Sequence, residues 1–317
     1  MLKQAGLIAF AALALAAGCS SAQKRPDVLG PIGQPQDDPV ASAMMADAKA
    51  LYDREQYGKA IRLFTKLSDR SEFADAYASE AAFYVGECQL QQGNLVDAYY
   101  SYEKLLTQFR SSRRFGDAVD REYFIGDAFC TGKVSTFWKP RGFGAKVLLR
   151  ALKHRPFDRN AVEAQMLVGD YYFEKGNYDD ALLQYDLVLS EYPDSRYAQT
   201  ARYRRALCLY NNVKGNRYDN DQIDEAIEGL KAVERDAAAR QKFDENDRQL
   251  ADIQVKLHDL NEIAARENYD TGRFFLRNKN KKAAAAYFHA VIRDTPGSSY
   301  TDRARQALAG FEQELNK

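Results

Sequence analysis

Few residues in this chain could do chemistry, and their spacing matches none of the common reactions. GDAFCTGKVS at 126–135 comes nearest to a phosphate-binding loop. Yet five residues rather than four separate Gly126 from Gly132, and Val134 stands where Ser or Thr would hold a metal ion. His154, His258 and His289 are widely separated and suggest no metal-ligand set; neither HExxH nor GxSxG occurs. Asp179-Asp180 sits at the start of a helical pattern, where carboxylates complement the helix dipole. Cys88, Cys130 and Cys208 are an odd set without CxxC spacing and read as small buried hydrophobes. No catalytic residue, metal or cofactor is expected. Two groups suit recognition instead. Arg273, Arg277, Lys279, Lys281 and Lys282 put five cations within ten residues, as a docking patch or as a solvated helix end. Trp138, the sole tryptophan, stands among Phe137, Lys139, Pro140, Arg141 and Phe143, either anchoring a partner or folding back over its own repeat.

The N-terminus carries chemistry of another kind. Residues 1–18 place Lys3 before an apolar run from Leu7 to Ala17, which at ~1.5 Å per residue spans about half a bilayer core. That is the form of a signal segment. Leu15-Ala16-Ala17-Gly18-Cys19-Ser20 follows and resembles the lipobox of bacterial lipoproteins, with Leu15 one place further out than usual. The resemblance implies cleavage before Cys19, lipid attachment to its thiol and, with Ser20 next, sorting to the outer membrane. Residues 19–42 include Pro26, Pro31, Pro35 and Pro39, four of the 8 prolines, and read as an extended tether.

The elements beyond it are helical by period. Apolar residues make up 45% of the chain and charged residues 28%, which excludes both a disordered chain and an integral membrane protein. Lys plus Arg and Asp plus Glu are equal at 45 each, so no basic excess points to nucleic acid. In residues 168–195, Gly169 and Tyr172 precede Ala181, Tyr185 and Pro193, which resembles the tetratricopeptide (TPR) pattern. Small residues let the two helices approach, aromatic residues fill the groove, and Lys175-Gly176-Asn177 makes the turn. The register recurs with Gly272, Phe275, Ala284, Phe288 and Pro296; with Gly86, Ala98, Tyr102 and Leu105; and with Ala48, Leu51, Ala60, Phe64 and Leu67. Two stretched pairs begin at Gly126 and Ala206, with inserted loops near 130–144 and 211–221. Residues 43–317 are therefore expected to form an all-α superhelix of about six TPR units. A long helix near 236–267 and a closing helix at 298–315 complete it.

This order of features is similar to the BamD family of outer-membrane assembly lipoproteins, most closely in YRRALCLYN, DEAIEGLKAVERD and YDTGRFFLRNKNKKAAAAYFHAVIRDTPGSSYTDRA. The chain holds one repeat more than the family usually has. The resemblance implies a non-enzymatic scaffold, lipid-anchored in the outer membrane and facing the periplasm. It would hold a BamA-like β-barrel insertase through its POTRA domains, beside accessory assembly lipoproteins, and assist unfolded outer-membrane clients. The family contact lies in the C-terminal repeats, which directs attention to the basic cluster. A TPR adaptor for cell-wall, division or export machinery would share the anchor and the repeats.

Overall fold

The computed structural model describes residues 38–70, 75–133, 141–215, 220–239 and 245–311. Thirteen helices and no strand occur among them, in antiparallel pairs that stack in chain order as a TPR superhelix. The pairs are α1 (Pro39–Asp53) with α2 (Tyr57–Ser68), α3 (Asp75–Gln91) with α4 (Leu95–Gln108), and α5 (Phe115–Cys130) with α6 (Arg141–His154). Then come α7 (Ala161–Glu174) with α8 (Tyr178–Glu191), α9 (Ala198–Lys214) with α10 (Asn220–Ala239), and α11 (Glu245–Arg277) with α12 (Lys281–Asp294). Helix α13 (Thr301–Ala309) closes the end.

Close approach within a pair follows from the small residues. A Cβ on Gly86 would stand 2.5 Å from the Tyr102 ring, one on Gly169 2.7 Å from Tyr185, and one on Gly272 2.8 Å from Phe288. Tyr102, Tyr185 and Phe288, with Phe64 in the first pair, are fully buried. The turns repeat as well. Glu55, Gly93, Gly176 and Lys279 all adopt positive φ, at 59°, 77°, 74° and 60°. The next residue in each, Gln56, Asn94, Asn177 or Asn280, donates its N–H to a carbonyl five residues back. This is a Schellman-type stop, which glycine enters without the ~1–2 kcal/mol cost that Glu55 and Lys279 bear.

Polar clasps join successive units. Glu87 is buried and accepts from the Tyr102 hydroxyl at 2.6 Å and from Arg121 Nε and Nη2 at 2.7 and 2.9 Å. One unit pair later, Asp170 accepts from the Tyr185 hydroxyl at 2.7 Å and lies 3.4 Å from Arg204 Nε. In both, acid and arginine are separated by 34 positions, the length of a TPR repeat. Glu122 has no such clasp: it is fully buried, and burial first, with Glu103 second, pushes its pKa up to about 9. Cys88, Cys130 and Cys208 are buried free thiols, and burial pushes them up to about 12, 11 and 12, far from thiolate chemistry.

Five boundaries differ from expectation, one of them the closing helix, which runs over Thr301–Ala309 rather than 298–315. The first helix begins at Pro39, ahead of residue 43, because Asp38 caps it by accepting from the Val40 and Ala41 amides. Helix α6 starts at Arg141, inside the loop expected to reach 144. Helix α9 runs on to Lys214, because Val213 is buried on the stripe of Ala206 and Leu209. The long helix is α11, starting at Glu245 rather than near 236, with residues 236–239 belonging to α10. It is the first helix of the last unit. Its Ile253 and Leu260 pack with α9 and α10, and its Ala265 with α12 and α13. Tyr203 and Tyr210 of α9 donate to Asp252 and Asp259 of α11 at 2.9 and 2.7 Å, so the two helices run in the same direction.

Candidate partner-docking surfaces

The five cations gather at the α11–α12 turn. Arg277 ends α11, Lys279 holds the left-handed position, and Lys281 and Lys282 open α12 beneath Asn280, whose side chain accepts from the Ala283 amide at 3.1 Å. Arg273, Arg277, Lys279 and Lys282 are exposed, and none makes an ion pair among the described residues. Arg273 lies 6.0 Å from the Tyr269 ring centre. Phe274 is 53% exposed among these cations and meets Phe275 edge-on at 5.6 Å, while Phe275 stacks on Tyr287 at 5.5 Å. The turn thus presents an exposed aromatic ring on the same helix end as Arg273 and Arg277, with Lys279 and Lys282 following in the turn and in α12. Arginine with an aromatic is the composition that anchors protein interfaces, and free cations suit an acidic partner surface. The exposed Phe274 went unread in the sequence, where it is indistinguishable from its core-facing neighbour Phe275.

A second surface lies between α5 and α7. There a groove of about 440 Å³ is lined by Asp120, Arg121, Phe124, Lys133, Arg159 and Leu167, among others. Phe124, 54% exposed, lends it an apolar side chain. Charges of both signs rim it: Lys133 pairs with Asp127 at 2.7 Å, and Arg159 with Asp120 at 3.9 Å. Such a volume takes a side chain or a short extended segment. Trp138 and Cys19 lie outside the described residues, as do residues 1–18 and most of the tether.

Residues 144–316 match the family model YfiO, described as outer membrane lipoprotein, and residues 45–113 match a tetratricopeptide repeat model. A curated relative, "Outer membrane protein assembly factor BamD" of Caulobacter vibrioides, is 25% identical over 152 residues, 48% of this chain and 48% of its own. The chain therefore spans about half the length of that relative. Among solved structures, a tetratricopeptide repeat protein from Parabacteroides merdae is 17% identical, with 86% of this chain and 98% of that one covered at a TM-score of 0.35. MamA from Desulfovibrio magneticus is 14% identical, with 64% and 97% covered at a TM-score of 0.32.

Proposed function

The chain belongs to the outer membrane lipoprotein family YfiO, and from that premise we propose that it is a non-enzymatic scaffold of the outer-membrane β-barrel assembly machinery. Family membership and the TPR superhelix support a role in outer-membrane protein assembly and a periplasm-facing location at that membrane. In the finer reading, Cys19 carries the lipid and residues 20–38 form the leash. At ~3.1 Å per residue an extended leash of this length reaches on the order of 60 Å from the bilayer. The α11–α12 turn holds the insertase through its POTRA domains, and the α5–α7 groove receives an extended segment of an unfolded client.

The match of the family model across 144–316 carries this reading, because that region contains the whole α11–α12 turn. The test is a charge reversal, Arg277→Glu, Lys279→Glu and Lys282→Glu together. Glu55 already occupies, with φ 59°, the turn position that Lys279 holds with φ 60°, so glutamate is compatible with the backbone there. Helix content by circular dichroism is expected to stay unchanged while co-purification of the insertase falls at least tenfold. Undiminished co-purification would remove the turn from the interface.

A further inference from the structure

Glu122 is fully buried, and no N–H donor among the described residues reaches either of its carboxyl oxygens. Buried polar atoms are almost always satisfied, and here that takes either a proton shared with Glu103 or a bound cation. It faces Glu103 of α4 and His154 of α6, and one donor atom from each of the three residues lies within 4.8 Å of the others. We propose that Glu103, Glu122 and His154 bind a single divalent transition-metal ion of the zinc class.

The geometry favours this on several counts. His154 Nε2 stands 3.2 Å from Glu103 Oε2, close to the roughly 3.3 Å edge of a tetrahedron with ligand bonds of ~2.0–2.1 Å. Glu122 offers a carboxyl oxygen within 4.8 Å of both, near enough for side-chain rotation to complete the set. Arg150 Nε lies 3.7 Å from the other oxygen of Glu103, where it orients the carboxylate as an outer partner does. His154 is the last residue of α6, at the helix end whose dipole favours a cation. The Glu103 and His154 side chains are each 17% exposed, which leaves an entry path and room for a water as fourth ligand. One imidazole and two carboxylates match zinc and its neighbours, whereas calcium takes six to eight oxygens. An ion here would tie α4 of the second unit to α5 and α6 of the third, fixing the angle between them.

The test uses the full-length, detergent-solubilised protein without a histidine tag, stripped with EDTA. Added Zn²⁺ is expected to raise the melting temperature by about 3 °C or more, with Ca²⁺ and Mg²⁺ inert. Co²⁺ is expected to develop the visible absorption of a four-coordinate site. Glu122→Gln and His154→Gln should each weaken both responses at least tenfold, while His289→Gln, altering an exposed histidine, should leave them intact. Absence of a Zn²⁺ response in the wild type, or an equal response in His154→Gln, overturns the proposal. Should Glu122→Gln fail to fold, the Co²⁺ titration of wild type against His154→Gln decides the matter by itself.

Discussion

At Glu80 one carboxylate holds three helices. It accepts from Arg114 Nε and Nη2 at 2.8 and 2.9 Å, and from Lys49 Nζ at 3.2 Å, tying α3 to α1 and to the start of α5. Hydrogen bonds from Arg114, more than those from Lys49, hold its pKa below the usual value of 4.5 against the opposing effect of burial. A carboxylate with a lowered folded pKa contributes stability that is fully present above its unfolded pKa and lost as pH falls through the folded one. Glu80→Gln is therefore expected to cost about 1 kcal/mol at pH 7, after allowance for solvent screening. The gap to wild type should narrow progressively as pH falls below 4.5 and through the lowered pKa of the folded state, as urea unfolding across an acid pH series would reveal. A gap that does not change with pH would mean that packing rather than charge carries the effect. Such ties were invisible in the sequence, since Glu80 and Arg114 each look like ordinary surface charges until the superhelix stacks them.

Between elements, the glycine-to-aromatic seam sets how close paired helices lie. Gly86, on this seam, and Gly58, exposed in the first turn of α2, make the comparison. A Cβ on Gly86 would meet the Tyr102 ring, and that ring is pinned by its hydroxyl to Glu87; a Cβ on Gly58 meets nothing within 4 Å. Gly86→Ala is expected to destabilise by about 2–3 kcal/mol despite the gain of ~1 kcal/mol in helix propensity. Gly58→Ala should stabilise by about 0.5–1 kcal/mol. Thermal unfolding of both variants checks the pair, and equal signs would contradict the seam. This part of the fold was legible, because a small residue and an aromatic recurring at fixed spacing state a packing requirement. Boundaries were less so. Val213 extended α9 through a polar stretch because its burial outweighs the Asn-rich context, and no local signal marks where α10 stops before α11 begins. The Glu103–Glu122–His154 cluster was illegible for a related reason: its members are up to 51 positions apart and meet only through the stacking of three helices.

For the whole molecule, repetition told more than any single residue. Six pairs and a closing helix leave no described segment for a catalytic domain, and no described helix is long and apolar enough to cross a membrane. The unusual member is α11, whose 33 residues, about 50 Å at 1.5 Å each, belong to both of the last two units. It joins the core around Ile253 and Leu260 to the cationic turn at its C-terminal end, so the turn is presented on a strut rather than on a loose loop. The scaffold reading stands or falls on what that strut holds. The direct measurement is a detergent pull-down of the tagged, full-length protein from its own outer membrane, read by mass spectrometry. A β-barrel protein with periplasmic POTRA repeats, recovered at near-equal stoichiometry, is the expected result. Recovery of wall enzymes, division proteins or export components in its place would contradict the assembly role.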